Sequence, residues 1–313
     1  MILEFLRKKQ DFVSGEEISR HLKISRQALW KHVHELREKG YSIEAVPHLG
    51  YKLIASPDRL YPEEIEGAGT SFIGRRAYYF EKTPSTMDEA MRLGASEPEG
   101  TVIASESQSR GRGRLGRSWS SPKYKGIYVS IVLKPDIPPA AAPALALLSA
   151  VGICEGIGEN TGLHPGIKWP NDIMLGGRKL GGILTEMEAE LDKVLFLVIG
   201  FGLNVNNERD ELVEGAVSLK QAAGSPVNRV DLLKAVLRSI EQDYLTFRAR
   251  GIGPVLEKWK SHSVTLGRKV KVDCFNQHIE GEAVDIDSDG GLMVRRESGI
   301  VQKFLAGDIV HIR

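Results

Sequence analysis

The sequence predicts an α+β protein in three parts: an N-terminal winged helix-turn-helix, a central mixed α/β core and a small C-terminal SH3-like β-barrel. Three observations predict this fold. Residues 1–60 contain three short helical patterns followed by two strand patterns. Residues 70–262 mix longer strands with helices of different length, and residues 265–313 alternate over five short strands. The chain is therefore expected to form three domains with these boundaries.

In the N-terminal part, serines mark the starts of the second and third helices. Ser14 and Glu17 have the spacing of a capping box, and Ser25 precedes the helix that carries the main apolar repeat. Two strand patterns at 41–46 and 50–54 then form a wing, so this part is predicted to be a winged helix-turn-helix. The residues of the third helix expected in the core are Leu29, Trp30, Val33 and Leu36.

The central part is predicted to contain strands over 102–105, 127–133, 182–186 and 194–199 and helices over 86–93, 140–158 and 229–250. The last helix has an apolar face and ends at Gly251. Long strands without regular strand–helix alternation favour an α+β core. Five short strands follow within about fifty residues, as in a small barrel.

Composition excludes several classes of protein. The formal net charge is +1, so overall charge does not indicate a nucleic-acid partner. The two cysteines, Cys154 and Cys274, lie far apart, which argues against a disulfide framework and against a CxxC metal site. The apolar stretch 140–157 is interrupted by Pro143 and Glu155 and is predicted to be a buried helix rather than a membrane span. With no signal peptide either, the protein is expected to be cytoplasmic, without a membrane partner.

The third helix of the N-terminal part has the charge of a DNA-recognition helix. Between residues 20 and 39 there are six Lys or Arg against two acids. A recognition helix reads base edges from its N-terminal turn while basic groups pair with phosphates. Alternatively, the domain mediates protein contacts and its basic face is only solvated. The candidate DNA contacts are Ser25, Arg26, Gln27, Lys31 and His32.

The segment from Gln108 to Trp119, the arginine loop, is the most unusual feature of the sequence. Between Arg110 and Arg117 it carries four arginines and three glycines. Glycines let the backbone approach a ligand, and arginine forks bind carboxylate or phosphate oxygens. Such a loop is expected to be ordered by an anionic ligand. A flexible basic loop, or an RNA-binding patch, remains an alternative at this point.

Two further segments carry lysines and turn residues. Lys168 is followed by Trp-Pro-Asn-Asp, and Lys179 by Leu-Gly-Gly-Ile-Leu. The lysines can stabilise phosphoryl charge, and Asn171 or Asp172 can hold Mg²⁺ or a ribose. As a bare spacing this is weak, because Asn-Asp after Pro is an ordinary turn. The stretch 200–206 also follows a buried strand and is expected to bring Asn204 against a nucleotide.

Ser85 and Thr86 allow two compatible interpretations. Thr86 and Glu89 have the spacing of a second capping box, and both hydroxyls can also point into a pocket for a small polar ligand. The sequence contains no Walker motif, no GxGxxG after a strand, no HExxH and no GxSxG. Nucleotide binding through a P-loop and hydrolysis through a nucleophile elbow are therefore excluded.

Taken together, these motifs resemble the family of bifunctional biotin–protein ligases and biotin-operon repressors over essentially the whole chain. The resemblance rests on Gly-Arg-Gly-Arg-x-Gly-Arg-x-Trp at 111–119, Lys-Trp-Pro-Asn-Asp at 168–172 and Lys-Leu-Gly-Gly-Ile-Leu at 179–184, in that order. It implies the biotin/lipoate ligase type of core. It also implies two steps: biotin and ATP give biotinyl-5′-AMP and pyrophosphate, and a lysine of a biotin carboxyl carrier protein then takes the biotinyl group.

The resemblance also implies cofactors, partners and site residues. ATP, biotin and Mg²⁺ would bind, with Asp172 at the metal, and Lys179, Arg114 and Lys168 would be catalytic. The partners implied are operator DNA and a second copy of the chain in the biotinyl-5′-AMP-bound form, with the strand 194–199 in the dimer interface. The biotin-binding residues implied are Ser85, Thr86, Met87, Gln108, Arg112, Gly113, Arg114, Lys179, Gly181 and Gly182. The ATP- or adenylate-binding residues implied are Arg112, Arg114, Arg117, Trp119, Lys168, Asn171, Asp172, Lys179 and Asn204.

The sequence departs from the family pattern in two places. Met87 stands where the family often has Asn, so a side-chain hydrogen bond to biotin from this position is in doubt. Ser109-Arg110 replaces a frequent Gln-Ala or Thr-Ala and adds a positive charge to the arginine loop. We have no physical account of the second change beyond stronger attraction for an anion.

Three other functions compete. A lipoate ligase has a similar core but normally lacks the winged helix and carries an Arg-Arg-x-Ser-Gly-Gly-Gly signature, which is absent here. A biotin-sensing transcriptional regulator without ligase activity would not need Lys179, Arg112, Arg114 and Asp172. An RNA-binding protein that uses the arginine loop leaves the downstream lysine motifs unexplained.

Overall fold

The computed structural model describes residues 2–274, 277–305 and 307–311, apart from the side chains of Cys274, Gln277 and Asp308. It divides into two compact units, Met1–Arg59 and Leu60–Arg313. Both helices and sheets occur in each unit, which confirms the α+β prediction.

The first unit is three helices followed by a two-stranded antiparallel sheet, which confirms the winged helix-turn-helix. As predicted, Ser14 and Ser25 cap the second and third helices: the Ser14 hydroxyl accepts from the Glu17 N–H and the Ser25 hydroxyl from the Ala28 N–H, both at 3.1 Å. The core of this unit includes Leu6, Ile18, Leu29, Val33 and Ile43. The elements are α1 (Ile2–Lys9), α2 (Gly15–Leu22), α3 (Arg26–Glu38), β1 (Ser42–Val46) and β2 (Gly50–Ala55).

The prediction that Trp30 belongs to this core is wrong. The Trp30 side chain is 62% exposed, and its ring stacks on His34 with centroids 5.5 Å apart and planes 4° from parallel. Because successive residues of a helix turn by about 100°, Trp30 lies off the stripe that buries Leu29 and Val33. Its apolar neighbour is the i+4 side chain on the same exposed face.

A seven-stranded mixed sheet forms the centre of the second unit, in the order β3-β4-β5-β9-β8-β7-β6. Only β3 and β4 pair in parallel; the other neighbours are antiparallel. The strands are β3 (Ala77–Phe80), β4 (Val102–Ser105), β5 (Gly126–Leu133), β6 (Gly166–Lys168), β7 (Asp172–Leu175), β8 (Arg178–Ala189) and β9 (Val194–Asn204).

Helices cover both faces of this sheet. On one face α5 packs in a cluster that contains Met87, Val132, Phe196 and Val198. On the other face the long helices join the main core. The helices of this unit are α4 (Pro62–Ile65), α5 (Thr86–Leu93), α6 (Pro143–Thr161), α7 (Leu219–Ala223), α8 (Arg229–Arg250) and α9 (Gly253–His262).

Helix α6 is the long apolar segment of the sequence. Together with the preceding 3₁₀ turn it is long and apolar enough to cross a membrane. However, 72% of its most apolar 18-residue stretch is buried inside this unit, as in a core helix. Cys154 lies on this helix as a free thiol, and burial raises the pKa of that thiol. The side chain of the other cysteine, Cys274, is outside the described residues.

Two central strands are longer than predicted, since β8 extends to both sides of 182–186 and β9 continues to Asn204. Glycines lower strand propensity, and they interrupt the apolar pattern at 181–182, 200 and 202. In addition, residues 194–199 lie between β5 and β8 and are buried except for Leu195, which is 41% exposed. The dimer interface expected on that strand stays a prediction.

The C-terminal part adds a five-stranded antiparallel sheet in the order β13-β12-β11-β10-β14, which confirms the prediction of five strands. Within the described ranges, no ladder joins its two edge strands, so closure into a barrel stays a prediction. The strands are β10 (Lys269–Cys274), β11 (Gln277–Ile286), β12 (Leu292–Arg295), β13 (Val301–Phe304) and β14 (Asp308–His311).

Glu241 of α8 holds the loop at 71–73. Its carboxylate accepts hydrogen bonds of 2.5–2.9 Å from the N–H groups of Ser71, Phe72 and Ile73 and from the Ser71 hydroxyl. Burial alone would raise the pKa of Glu241, but the backbone hydrogen bonds from this loop outweigh it and hold the pKa below its usual range.

We therefore expect Glu241→Gln to destabilise the protein at neutral pH by about 1–3 kcal/mol, because an amide cannot accept all of these bonds. A group with a lowered pKa in the folded state stabilises above its unfolded pKa of 4.5, and this contribution is lost as pH falls through the folded pKa. Urea unfolding of both proteins at pH 7 and at pH 4 measures the difference. A constant difference at the two pH values would contradict the account.

Candidate active site

A cavity of about 360 Å³ opens at the edge of the central sheet where the arginine loop, the β6–β7 turn and strands β8 and β9 meet. It brings together residues that are up to 225 positions apart in the chain, from Ser85 to Val310. The predicted site residues that line it are Ser85, Thr86, Met87, Gln108, Arg112, Gly113, Arg114, Arg117, Trp119, Lys168, Asn171, Asp172, Lys179 and Gly182.

One end of the cavity is a chain of neutral polar groups. Ser130 donates to the Thr86 hydroxyl at 3.0 Å, and the Gln108 carbonyl oxygen accepts from the Thr86 N–H at 2.8 Å. The Gln108 NH₂ donates to Ser121 at 2.9 Å, which fixes the orientation of the amide. This end can hydrogen-bond an uncharged polar ring without introducing a charge.

The predicted capping box of Thr86 and Glu89 is wrong. Ser85 caps α5 instead and accepts from the Met87 N–H at 3.2 Å, while Thr86 contacts Gln108. The next side chain, Met87, is only 3% exposed and packs beside Gly200, so it adds an apolar wall. Its thioether cannot provide the amide hydrogen bonds of the family's Asn.

The other end of the cavity is positively charged and centred on Lys179. The Lys179 ammonium lies 2.6 Å from the Asp172 carboxylate and 5.8 Å from the centre of the Trp119 ring. Lys168 enters the same cavity at the end of β6, just before the cis peptide bond of Trp169–Pro170. Arg114 donates a hydrogen bond to the side-chain amide oxygen of Asn171 at 3.1 Å. Three cationic groups therefore face one space, which suits an anionic ligand.

Gly181 does not line the cavity, contrary to the prediction. Strand β8 has a register shift opposite β7, where Met174 pairs with Lys179 and Ile173 pairs with Gly181. Leu180 is the extra residue of this bulge. Lys179 and Gly182 therefore lie on the same face of β8. A side chain at Gly181 would instead meet Leu203 on the opposite side.

Asn204 is also absent from the lining. Because β9 continues as regular strand instead of turning near Gly200, Asn204 is carried to the strand end, where it pairs with Gly126 and is 6% exposed. Gly202, two residues before Asn204, lines the cavity instead. A Cβ at Gly202 would collide with the indole of Trp119, so this position needs glycine.

The arginine loop forms a small hairpin at the rim. The Trp119 N–H donates to Gly111 at 2.8 Å and the Gly113 N–H donates to Arg117 at 2.7 Å. Arg112 pairs with Asp88 at 2.7 Å and also with Glu186. Burial alone would lower the pKa of the Arg112 guanidinium, but the contacts with these two carboxylates outweigh it and raise that pKa.

Several lining residues were not predicted from the sequence, and three of them, Asp273, Ile309 and Val310, come from the C-terminal sheet and carry no local motif. Trp169 connects the two regions, since its indole donates to Gly290 and its N–H to Thr265, both at 3.0 Å. In the central sheet the missed positions are neutral side chains or glycines beside the predicted motifs. The missed residues are Ser118, Ser130, Trp169, Pro170, Ile183, Leu184, Gly200, Phe201, Gly202, Asp273, Ile309 and Val310.

No group of three or more His, Cys, Asp and Glu side chains that could hold a metal occurs among the residues with described positions. Asp172 contributes one carboxylate to the cavity, at 2.6 Å from Lys179. A single carboxylate beside a phosphate-sized space is one of the ways in which Mg²⁺ is bound together with a nucleotide.

In the first unit, the candidate DNA contacts Ser25, Arg26, Gln27, Lys31 and His32 are all exposed on α3 or at its cap. Arg26 lies 3.4 Å from Glu16, and Lys31 and His32 lie 3.9 and 3.3 Å from Glu35. These are surface ion pairs, which hold side chains only weakly. The helix can therefore present its basic groups to a polyanion.

Comparison with known proteins finds three family models that match separate segments of the chain. The model of the biotin/lipoate A/B protein ligase family matches residues 78–204, an HTH domain model matches 1–52, and the biotin protein ligase C-terminal domain model matches 265–312. The bifunctional ligase/repressor BirA of Bacillus subtilis is 40% identical over 96% of this chain and 94% of its own length. That of Escherichia coli is 30% identical over 96% of this chain and 92% of its own length.

Solved structures agree. The biotin protein ligase from Aquifex aeolicus in complex with biotin and ATP matches with a TM-score of 0.67 and 26% identity, covering 76% of this chain and 100% of that chain. The relatives that are similar over almost the full length are ligase/repressors, and the motifs that line the cavity lie inside or next to the matched ligase region. The chain therefore belongs to the family of biotin protein ligases, in the group of bifunctional ligase/repressors that carry an N-terminal helix-turn-helix domain.

Proposed function

We propose that this protein is an ATP-dependent biotin–protein ligase that also acts as a biotin-dependent transcriptional repressor. The observation that carries the ligase assignment is the single cavity with a neutral hydrogen-bonding end at Thr86 and Gln108 and a cationic end at Lys179, Arg114 and Lys168. A ligand with an uncharged polar ring and a carboxylate tail, such as biotin, matches both ends. The relatives named above support the same function.

The neutral end would bind the ureido ring of biotin. Ser85, Thr86 and Gln108 offer hydroxyl and amide groups, Met87 packs against the ligand, and Gly182 lets the chain of biotin pass close to the backbone of β8. Because Gln108 is oriented by Ser121 and Thr86, its amide is held in place before the ligand arrives. Backbone contact at Met87 remains available although its side chain cannot hydrogen-bond.

The cationic end would support the first step. There the carboxylate oxygen of biotin attacks the α-phosphorus of ATP, an O–P bond forms, and pyrophosphate leaves with the electrons of the broken P–O bond. Two anions must approach each other, so the site has to neutralise charge rather than supply a nucleophile. Lys179, Arg114 and Lys168 are the catalytic residues that we assign to this task, with Lys179 nearest to the new bond.

Other lining residues would hold the nucleotide. Arg117 and Asn171 face the same end. Trp119 offers a flat ring that can pack against the adenine of ATP or of biotinyl-5′-AMP. Asp172 would hold Mg²⁺, which neutralises charge on the phosphates of the nucleotide. Gly113 would let the arginine loop approach the adenylate, and the stem and backbone of Arg112 would cover the ligand. Since Gly181 and Asn204 lie away from the cavity, we assign them no ligand.

In the second step the ε-amine of a lysine on a biotin carboxyl carrier protein attacks the acyl carbon of biotinyl-5′-AMP. The C–N bond forms, the C–O bond to AMP breaks, and the amine loses a proton. The same cations stabilise the phosphate of the departing AMP. The acceptor has to reach the open side of the cavity, where Val310 is 54% exposed.

Biotin-dependent exchange of labelled pyrophosphate into ATP tests the first step directly. We expect exchange that requires biotin. Tight biotin binding without exchange would favour a biotin-sensing regulator without ligase activity, and exchange with lipoate but not with biotin would favour a lipoate-type acyl ligase. Each of these results would overturn the proposal.

The repressor function is assigned to α3 and the wing. The exposed residues Ser25, Arg26, Gln27, Lys31 and His32 would contact operator DNA, and the exposed Trp30–His34 stack extends the same helix surface. Basic side chains at the N-terminal turn of α3 fit the negative charge of a DNA backbone. The finding that the relatives are repressors supports DNA over a protein partner.

We expect Arg26→Ala to weaken operator binding by about 1–3 kcal/mol if Arg26 reads a base. The pair with Glu16 at 3.4 Å is exposed, so little is lost in the free protein. Binding to an operator duplex selected from a random-sequence pool measures the effect, and biotin-dependent pyrophosphate exchange is the control. Equal loss of both activities would indicate misfolding and contradict the assignment.

The biotinyl-5′-AMP-bound form is proposed to be a homodimer. We place the contact on the β8–β9 hairpin, where Met187, Leu191 and Leu195 are exposed apolar side chains; Leu195 is the exposed residue of the expected strand 194–199. A ligand can favour the dimer only through its higher affinity for the dimer-competent state. Sedimentation with and without biotinyl-5′-AMP tests this, and an unchanged dimerisation constant would contradict it.

Two further proposals concern organisation. We propose three functional domains, at 1–60 for DNA binding, 70–262 for ligation and 265–313 for the C-terminal barrel. We also propose a cytoplasmic location, which the buried position of α6 in the core of the second unit supports.

A further inference from the structure

The arginine loop is tied to two other elements through one side chain. Arg112 donates through Nη1 to Asp88 on α5 at 2.7 Å, and through Nη2 to Glu186 on β8. The two carboxylates come from different elements, because Asp88 lies on α5, which begins with residues of the neutral end, and Glu186 lies on β8, which carries Lys179. One guanidinium therefore joins the loop, the helix and the strand.

Neither carboxylate lines the cavity, whereas Arg112 does. Asp88 and Glu186 therefore do not reach the ligand space, and their effect on a ligand has to pass through Arg112. Their side chains are 45% and 28% exposed, and that of Arg112 is 41% exposed. Each ion pair taken alone is a surface interaction of modest strength. A guanidinium that is hydrogen-bonded through both Nη atoms is, in addition, fixed in its orientation.

The base of the loop is anchored, because the N–H groups of Ser109 and Arg110 donate to Thr83 and Pro84, and the hairpin beyond it is the part that Arg112 ties down. The bonds of Gly111 with Trp119 and of Gly113 with Arg117 close the hairpin on itself, and its tip at Leu115 is 72% exposed. Arg114 of the same hairpin reaches Asn171 at 3.1 Å, and Arg114 is assigned to the reacting phosphate. Arg112 can thus hold the hairpin in place while Arg114 serves the ligand.

We propose that Asp88 and Glu186 are positioning residues that hold the arginine loop closed over the ligated cavity by binding Arg112 from two sides. The inference rests on the proposed function for its ligand, biotinyl-5′-AMP. It also changes the role of Arg112, whose guanidinium is bound to protein carboxylates while its stem and backbone cover the ligand. Loss of the two carboxylates opens the loop and releases the adenylate.

The test compares the full-length wild type with the Asp88→Asn/Glu186→Gln double variant. We expect the double variant to release preformed biotinyl-5′-AMP about 10-fold faster, as expected for the loss of charged hydrogen bonds worth about 1.5 kcal/mol. The charge-conserving Asp88→Glu/Glu186→Asp variant should recover most of the wild-type rate. Glu89→Gln removes a carboxylate of the same helix that pairs with Arg92 and should leave the rate unchanged.

Tryptic cleavage within 110–117 provides a second readout that needs no ligase activity. Without ligand, the double variant should be cut in this loop several-fold faster than the wild type and Glu89→Gln, with an unchanged midpoint of thermal unfolding. An unchanged cleavage rate would overturn the inference, and so would slower adenylate release, which would mean that the carboxylates compete with the ligand. Failure of the wild type to form any adenylate would count against the proposed function, while the cleavage readout would still decide the role of the carboxylates.

Discussion

Lys179→Ala is expected to reduce the rate of biotinyl-5′-AMP formation by about 10²–10³-fold, the usual effect of removing one preorganised group that stabilises transition-state charge. In this structure the Lys179 ammonium faces the cavity beside Asp172 at 2.6 Å, and the β8 bulge holds the residue on that face. Single-turnover formation of the adenylate at saturating biotin and ATP measures the effect.

The control is Lys193→Ala, which removes a 59% exposed lysine from the β8–β9 hairpin, outside the cavity lining. It should leave the rate of adenylate formation unchanged. Both variants should unfold at the wild-type temperature, because Lys179 makes its ion pair at a partly exposed site. A Lys179→Ala enzyme with the wild-type rate would remove Lys179 from its catalytic role.

Arg229→Met is expected to cost about 3–5 kcal/mol of the free energy of unfolding, because it leaves the carboxylate of Glu106 buried without its partner. Both side chains are 0% exposed and lie 2.7 Å apart. Arg229 also donates to Gly126 at 3.1 Å, and Glu106 accepts from the Leu60 N–H at 3.0 Å. The pair thereby joins the start of α8 to the ends of two central strands. Urea unfolding at neutral pH measures the loss.

The double variant Glu106→Gln/Arg229→Met separates the lost interaction from the unpaired charge. A neutral amide still accepts from Leu60 and carries no charge into the core, so we expect the double variant to regain part of the stability. If Arg229→Met alone cost less than about 1 kcal/mol, the account of a buried charge pair would be contradicted.

Patterns that depend on near neighbours in the chain were predictable. The caps at Ser14 and Ser25, the long helix at 229–250 and the presence of five strands in the C-terminal part follow from local periodicity and from turn residues. The motifs at 111–119, 168–172 and 179–184 also contain most of the residues that line the cavity. Each motif is local, so its residue types are visible without the fold.

What depends on tertiary contact was not predictable. Trp30 is a different case: it was expected in the core because of its residue type, but the helix phase, which is local, already places it on the exposed face. Gly181 and Asn204 were misplaced by a bulge and by the extension of a strand, neither of which has a local sequence signal. The contribution of Val310 from the C-terminal sheet depends on a contact between distant segments through Trp169. The ties of Arg112 to Asp88 and Glu186 likewise join three separate elements.

The central claim is that this chain transfers biotin to a lysine of a carrier domain. The most direct test is the intact mass of a purified biotin carboxyl carrier domain after incubation with the protein, biotin, ATP and Mg²⁺. Omission of ATP and a carrier domain whose acceptor lysine is replaced by arginine are the controls. We predict a mass increase of one biotinyl group that is absent in both controls. An unmodified carrier domain under conditions in which the protein binds biotin tightly would contradict the claim.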